Sequence, residues 1–159
     1  PARLWRLPVC YEEKFAPDLK DVISKTNLTP DEVIALHTSR ILEVAIMGFL
    51  PGLGYLTGVD DSLHLPRRSV PRTFVPQGSV GLAMDQTVIY PLNSPGGWNL
   101  IGRMPIPLFD QKRENPILFS AGDQVSFYAV NADKYEELAA SCVDGNLPIC
   151  PEQADEAAL

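Results

Sequence analysis

Residues 73–103, which read TFVPQGSVGLAMDQTVIYPLNSPGGWNLIGR, decide the fold. Short apolar runs alternate here with proline and glycine clusters, a pattern that predicts strands joined by tight turns. The predicted strands are 73–76, 79–84, 86–90 and 98–103, with a further one at 124–130. Many short strands in one small chain favour a β-barrel or a β-sandwich, because both hide strand edges from solvent.

The composition is that of a single globular domain. The chain has 159 residues, 45% of them hydrophobic and 21% charged, which is enough for one core and short for two. The 15 prolines argue against a helix bundle, because proline cannot donate to a helix. No apolar run reaches the roughly 20 residues that span a bilayer, and no signal peptide opens the chain. We therefore expect a soluble cytoplasmic protein with no membrane partner.

Charge is distributed unevenly along the chain. Seven of the acidic residues fall in 131–159 against one lysine, within a net charge of -7 for the whole protein. Residues 62–109 carry four arginines and only one acid, Asp85. This local excess suits a small anionic ligand better than nucleic acid, which needs a broader basic surface. Solvated or ion-paired arginines are the alternative explanation.

Two helices are predicted ahead of the β region. Residues 29–40 begin with a threonine N-cap, a proline and a glutamate three residues after the cap, which together form a capping box. A shorter helix is expected at 17–26. Residues 1–130 are predicted to form one domain, and 131–159 a C-terminal helix capped by Asn131 and an acidic, partly disordered tail.

The common catalytic motifs do not fit this sequence. Residues 51–58 come close to a dinucleotide fingerprint, but no helix opens after them. His37 and His64 have no second ligand at metal spacing, so we expect no built-in metal and no covalent cofactor. What remains is a set of loops rich in proline and glycine that carry polar groups, at 48–56, 65–72, 75–91 and 94–103. Such loops either shape a pocket or are simply tight turns between strands.

Several uncommon segments occur together in this chain: GFLPGLGYL, PRRSVPRTFVPQGSVGLA, QTVIYPLNSPGGWNLIGR, PLFD and GDQVSF. Their order and spacing closely resemble the family of the 5-oxoprolinase B subunit, KipI-type kinase inhibitors and allophanate hydrolase subunit 1. The resemblance covers roughly residues 7–130. It implies a cyclophilin-like closed β-barrel with two or three flanking helices, corresponding to the family's second domain without its N-terminal domain.

The resemblance also implies a function. Family members act with a partner protein, the C subunit of 5-oxoprolinase or allophanate hydrolase subunit 2, and open 5-oxoproline to glutamate at the expense of ATP. The chain is then a subunit of an ATP-dependent amidohydrolase, inactive alone, and ATP acts through the complex. Two alternatives remain open: a non-catalytic inhibitor of a histidine kinase, or a subunit for allophanate- or urea-related amide hydrolysis or carboxyl transfer.

The candidate catalytic residues are His37, Arg72 and Gln86. His37 lies in the segment that resembles the family's LHSS and is a potential general acid or base, favoured in its protonated form by the helix C-terminus. Packing of its ring against the first strand is the alternative. Arg72 could clamp a carboxylate or phosphate. Gln86 shares a strand face with Tyr90, although a cross-strand hydrogen bond would also explain the glutamine.

The candidate substrate-binding residues surround the same loops. They are Arg68, Gln77, Ser79, Tyr90, Gly96 and Gly97. The two glycines are expected to allow close approach in a loop at the pocket or the partner face. The sequence departs from the family pattern at two places. The family has a phenylalanine and a proline where this chain has Leu53 and Gly54, and the family has a glycine-containing turn where this chain has residues 83–85.

Overall fold

The computed structural model describes residues 1–154, and the fold is built from ten strands and three α-helices within that range. The elements are β1 (Arg3–Val9), α1 (Leu19–Thr26), α2 (Pro30–Thr38), β2 (Ile41–Met47), β3 (Gly54–Thr57), β4 (Arg72–Val75), β5 (Ser79–Ala83), β6 (Gln86–Ile89), β7 (Ser94–Gly96), β8 (Asn99–Arg103), β9 (Gln124–Ala129), α3 (Ala132–Ser141) and β10 (Glu152–Gln153). Single-turn 3-10 helices lie at Glu13–Phe15, Asp61–Leu63 and Val143–Gly145. The prediction of a mainly β fold with flanking helices is confirmed.

Eight strands form one mixed sheet. Their order is β10-β1-β9-β2-β3-β6-β5-β8, and a separate two-stranded sheet pairs β4 with β7. Only β1 and β9 run parallel; the other neighbours in the large sheet are antiparallel. The hairpin from 79 to 89 lies where the sequence predicts it, with Met84 and Asp85 between the paired residues Ala83 and Gln86.

The expectation that two helices precede every strand is wrong. Strand β1 comes first and lies inside the sheet between β9 and β10. The sequence pattern does not predict β1 because it contains Pro8, and proline is uncommon inside strands. The strand tolerates this proline because β10 pairs only with Arg3 and Leu4, so Pro8 has a strand partner on one side alone, in β9.

The far edge of the sheet returns to the region just after β1. Cys10 and Arg103 form an antiparallel bridge through two backbone hydrogen bonds of 2.9 and 3.0 Å. Arg103 ends β8, the edge strand of the sheet. The structure therefore shows a mixed sheet whose two sides meet at this bridge.

The core consists of two apolar clusters. The larger one fills the space between the sheet and the helices and includes Trp5, Leu56, Met104 and Phe127. The smaller one lies beneath the β4–β7 pair. It consists of Val75, Ala83, Val88, Tyr90, Trp98 and Leu100, with Leu53 and Tyr55 packed against it. This second cluster forms the floor of the pocket described below.

The helix ends follow the sequence signals. The Thr29 hydroxyl accepts from the Glu32 N–H at 3.1 Å, and the Glu32 carboxylate accepts from the Thr29 N–H at 3.0 Å, so the capping box is confirmed. The Asn131 side chain caps α3 by accepting from the Lys134 N–H at 2.8 Å. None of the helices within residues 1–154 is long and apolar enough to cross a membrane.

The described part of the predicted disordered tail is packed against the domain. Strand β10 pairs with β1, and Leu147 and Ile149 contact the larger core cluster. An ion pair of 3.1 Å between Arg6 and Glu152 adds to this attachment. Apolar contacts and a strand pairing therefore hold the described segment 142–154 against the domain. The predicted tail at 155–159 lies outside the described residues.

Candidate functional site

A pocket of about 540 Å³ lies over the smaller core cluster. Its wall comes from the 50–55 segment, from β6 and from the 94–98 segment. The lining residues are Leu50, Leu53, Tyr55, Arg67, Val88, Tyr90, Ser94, Pro95, Gly96, Gly97 and Trp98. Its volume falls in the range of small-molecule sites, which are mostly apolar with a few polar groups. We call it the Trp98 pocket.

Aromatic rings and one cation dominate the wall of the Trp98 pocket. The Tyr55 and Trp98 ring centroids are 6.0 Å apart, and the guanidinium of Arg67 lies 5.7 Å from the Trp98 centroid, over its ring. Arg67 is exposed and forms no ion pair with any residue in 1–154. The charge of Arg67 is therefore available to a ligand, and the face of the Trp98 ring orients the guanidinium.

Tyr90 and Gly96 explain the glycine-rich turn. A Cβ on Gly96 would lie 2.7 Å from Cε1 of Tyr90 and closer still to its hydroxyl oxygen, so only glycine leaves room for this ring. Burial raises the pKa of the Tyr90 phenol, and the neighbouring Trp98 backbone opposes this rise. Gly97 is less constrained, because its nearest neighbour would be Pro71 at 3.5 Å. The predicted close approach thus occurs at Gly96, and the approaching group is a side chain of the same protein.

Arg68 and Arg72 are engaged within the protein. Both bind the carboxylate of Asp18, which is 1% exposed. Arg72 binds it in a bidentate manner, with Nη1–Oδ2 and Nη2–Oδ1 distances of 2.6 and 2.5 Å, and this bonding raises the pKa of Arg72. Arg68 also lies 3.6 Å from Asp21. The carboxylate that Arg72 binds is therefore a side chain of the protein itself. Arg67 is the arginine that lines the pocket.

Asp18 is the site residue that the sequence analysis missed. It stands at the N-cap of α1, where an aspartate is expected to bond the helix backbone, yet its side chain makes no such bond. Its Oδ2 instead accepts from the Leu100 N–H at 2.7 Å, while its own N–H donates to the Leu100 carbonyl at 3.0 Å. The sequence did contain a signal for this contact, namely an acid at the start of α1 and an excess of arginine about fifty residues later. The sequence alone does not show that the acid and the arginines are in contact.

The structure places His37 in the core, away from the Trp98 pocket. Its ring is 3% exposed and stacks on Phe127 with centroids 4.6 Å apart. Its Nδ1 lies 2.6 Å from the Tyr11 hydroxyl and its Nε2 lies 3.1 Å from the Thr87 hydroxyl. Burial lowers the pKa of His37 to about 3, so the expectation that the helix end keeps it protonated is wrong. This geometry supports the packing alternative over a general acid or base.

The remaining predicted residues are spread over the sheet. Gln77 lines a separate cavity of about 190 Å³, behind Tyr90 and next to Tyr135. Ser79 is buried, and its backbone carbonyl accepts from the Tyr90 N–H at 2.9 Å. Gln86 opens β6 opposite Ala83 and Thr57, at the end of the strand that points away from Tyr90. Of the predicted set, Tyr90, Gly96 and Gly97 line the Trp98 pocket, and Arg68 and Arg72 stand behind its wall.

Large apolar side chains are exposed next to the Trp98 pocket. Phe49 is fully exposed and precedes Leu50, a lining residue. Val70 and Phe74 are 71% and 59% exposed, and Phe74 belongs to β4, which pairs with the lining strand β7. We call Phe49, Val70 and Phe74 the apolar rim. Exposed apolar side chains on segments that neighbour a pocket are candidates for a protein interface.

The site can bind and orient a ligand, but its own chemistry is limited. Its titratable lining side chains are Tyr55, Arg67 and Tyr90, and among the described residues no carboxylate, histidine or cysteine lines it. Within residues 1–154 no three His, Cys, Asp or Glu side chains are grouped so that they could hold a metal ion. The arrangement can bind a small anion with one flat apolar face. A carboxylate or imidazole for acid or base catalysis would have to come from outside the described residues that line the pocket.

Comparison with known proteins gives a consistent match. Residues 1–119 match the family model described as carboxyltransferase domain, subdomain C and D. The chain is 43% identical over 133 residues to a Bacillus subtilis protein named as the B subunit of 5-oxoprolinase, covering 84% of this chain and 55% of that protein. The protein of the same name from Haemophilus influenzae is 46% identical over 121 residues, covering 76% of this chain and 57% of that one. The chain thus spans just over half the length of these relatives.

A solved structure supports the same relationship. The crystal structure of a conserved uncharacterized protein from Pyrococcus horikoshii, PH0987, superposes with a TM-score of 0.79 at 39% identity. The match covers 83% of this chain and 61% of that one. The architecture described above therefore belongs to a fold that has been observed experimentally in a homologue.

Proposed function

Since this chain belongs to the family described as carboxyltransferase domain, subdomain C and D, we propose that it is a substrate-binding part of a 5-oxoprolinase-type complex. Its curated relatives at 43% and 46% identity are named as the B subunit of 5-oxoprolinase, which supports this assignment. In the proposed reaction water opens the lactam of 5-oxoproline to glutamate, coupled to the hydrolysis of ATP to ADP and phosphate.

The observation that carries the proposal is the position of Arg67 over the Trp98 ring, at the mouth of a largely apolar pocket. The substrate 5-oxoproline is a small flat ring with one carboxylate. Arg67 would bind that carboxylate through charge-assisted hydrogen bonds. Tyr55 and Trp98 would contact the ring of the substrate and exclude water from it. The roles predicted for Tyr90, Gly96 and Gly97 fit this arrangement as wall and support.

The proposed division of labour leaves bond cleavage to the assembled complex. Among the described residues, those that line the Trp98 pocket include no carboxylate or imidazole, and His37 is buried with both ring nitrogens bonded. Gly96 and Gly97 do not form a phosphate-binding loop of the kind that opens a helix, because they lie in β7 and in the short link to β8. ATP is thus assigned to other subunits of the complex, and the chain alone is expected to be inactive.

The partner in this proposal is a protein like the C subunit of 5-oxoprolinase or allophanate hydrolase subunit 2, docked on the apolar rim. Phe49 precedes the lining residue Leu50, and Phe74 lies in β4 beside the lining strand β7, so a partner seated on these side chains would lie next to the pocket. The naming of the relatives as one subunit of an enzyme supports an assembly of several chains. We place this assembly in the cytoplasm.

The proposed architecture of the domain is a cyclophilin-like closed barrel. The Cys10–Arg103 bridge supports closure, because it joins the β8 edge to the residue after β1. A closed sheet would fix the rigid floor on which the pocket loops stand.

The experiment is reconstitution of the full-length protein with its candidate partner subunits. Purified complexes are assayed for ATP-dependent release of glutamate from 5-oxoproline, and assembly is measured by size-exclusion chromatography. Phe49→Ser tests the apolar rim, with Tyr128→Ser as a matched control, since Tyr128 is an exposed aromatic residue at the end of β9. The proposal requires turnover that depends on all subunits. Stable assembly without turnover would instead favour a regulatory binding role.

A further inference from the structure

A buried carboxylate lies directly behind the wall of the Trp98 pocket. Asp18 is 1% exposed and receives hydrogen bonds from Arg68, from both terminal nitrogens of Arg72 and from the Leu100 N–H. A buried charge is costly unless ionic and hydrogen-bonding partners surround it. Asp18 meets that condition, because every partner is a donor and two of them are cations.

Each partner of Asp18 also holds a part of the pocket wall. The Arg68 N–H donates to the Gly97 carbonyl at 2.7 Å, and Arg72 is the register partner of Gly96 in the β4–β7 pair. Leu100 lies two residues after Trp98 in the same stretch of chain. One carboxylate therefore ties the start of α1 to the backbone on both sides of the glycine turn.

Helix α1 lacks a side-chain N-cap because the Asp18 carboxylate binds other groups. Asp18 is the N-cap of α1, but no α1 backbone N–H bonds its side chain. The side chain of an N-cap aspartate normally stabilises a helix by accepting from the free N–H groups of its first turn. Capping alone therefore does not account for an acid at this position, whereas the arginine contacts do.

We propose that Asp18 is the positioning residue of the Trp98 pocket. It holds Arg68 and Arg72 in place, these arginines fix the Gly96–Gly97 wall, and both of their charges are balanced internally. Arg67 is then the guanidinium offered to a ligand, which selects a small monoanion. The statement about the ligand rests on the proposed function; the statement about the wall does not.

The protein contains a matched control for this proposal. Asp123 is 2% exposed and likewise binds an arginine, Arg3, and a backbone N–H, that of Ser120. It also accepts from the indole N–H of Trp5 at 3.1 Å. The two tryptophans of the chain thus report on the two aspartates separately, Trp98 near Asp18 and Trp5 beside Asp123.

The test uses fluorine NMR on the full chain labelled with 5-fluorotryptophan. Trp5→Phe assigns the two resonances, and the solvent isotope shift in D2O measures the water exposure of each indole. In Asp18→Asn the isotope shift of Trp98 is expected to rise by about twofold or more while that of Trp5 stays unchanged, because releasing a local anchor opens only its own region. In Asp123→Asn the Trp98 signal is expected to stay as in the wild type.

A second variant protects the test against misfolding. Arg72→Met removes the bidentate contact from a side chain that is 24% exposed, and it should expose Trp98 in the same direction as Asp18→Asn. The proposal is overturned if Trp98 keeps its wild-type isotope shift in a folded Asp18→Asn or Arg72→Met protein. It is equally overturned if Asp123→Asn exposes Trp98 to the same extent.

A kinetic measurement separates positioning from general loss of structure. In the reconstituted complex, Asp18→Asn should raise KM for 5-oxoproline at least about tenfold, with a smaller change in kcat, because the wall that orients the substrate moves. A fall in kcat with unchanged KM would contradict positioning. If the wild-type complex has no 5-oxoprolinase activity, the proposed function fails, and the fluorine measurement still decides the role of Asp18.

Discussion

Replacement of Gly96 by alanine is expected to disrupt the Trp98 pocket from within. The new Cβ would lie 2.7 and 2.8 Å from Cε1 and Cζ of Tyr90, and nearer still to the hydroxyl oxygen. Atoms of a rigid ring cannot stay at such distances, so either Tyr90 or the β7 backbone must move. Tyr90 is 6% exposed, so any movement of its ring disturbs the residues packed around it.

The magnitude follows from this overlap. Forcing one methyl group into a packed site costs about 1–3 kcal/mol, and the rigidity of the phenol places Gly96→Ala at the upper end, near 2–3 kcal/mol. For a protein of this size such a loss lowers Tm by roughly 5–10 °C. Tyr90 lines the pocket together with Trp98, so its movement also changes the pocket wall. The pocket should therefore lose ligand affinity as well as stability.

Urea unfolding and thermal melting of Gly96→Ala measure this cost, and Gly97→Ala is the matched control. The nearest atom to a Cβ on Gly97 is 3.5 Å away, so that variant should stay within about 0.5 kcal/mol of the wild type. Adding Tyr90→Phe to Gly96→Ala should restore part of the loss, because it removes the closest atom. Equal stability of the two alanine variants would refute the reasoning.

Three further predictions concern the rest of the domain. Burial lowers the pKa of His37 to about 3, so below pH 6.5 the unfolded chain binds a proton that the folded protein does not. The unfolding free energy therefore falls by up to about 1.4 kcal/mol for each pH unit below 6.5. Urea titrations between pH 6.5 and 5 should show this slope in the wild type and lose it in His37→Gln. Tyr11→Phe leaves the buried Nδ1 of His37 without its partner and should cost about 1–3 kcal/mol in thermal melts, whereas Tyr128→Phe at the surface should cost little. Met84 adopts φ 53° in the hairpin turn, so Met84→Gly should raise the unfolding free energy by about 0.5–1 kcal/mol; a loss of stability would contradict the strain argument.

Local signals in the sequence predicted local structure well. The capping box at Thr29 and Glu32 located the start of α2, and the alternation around residues 79–89 located the central hairpin. These features depend on residues only three to ten positions apart. The strand at Arg3–Val9 escaped because its partners, β9 and β10, lie more than 100 residues away and Pro8 weakens its own pattern.

The site was predictable in composition but not in arrangement. The excess of arginine at 67, 68 and 72 did mark the pocket region, yet charge counting could not tell which guanidinium faces it. That choice is made by Asp18, which stands 50 and 54 residues before the arginines it binds. His37 has the residue type of a catalytic base, but Tyr11, Thr87 and Phe127 enclose it from other parts of the fold.

The most direct test of the central claim is the KM for 5-oxoproline in the reconstituted complex carrying Arg67→Met. Methionine keeps much of the length and packing of the side chain over Trp98 and removes the charge. Losing a charge-assisted hydrogen bond of about 1.5–3 kcal/mol should raise KM roughly 10- to 100-fold. Arg6→Met, at an exposed ion pair with Glu152, should leave KM unchanged. A wild-type KM in an assembled, active Arg67→Met complex would show that the Trp98 pocket does not bind the substrate carboxylate.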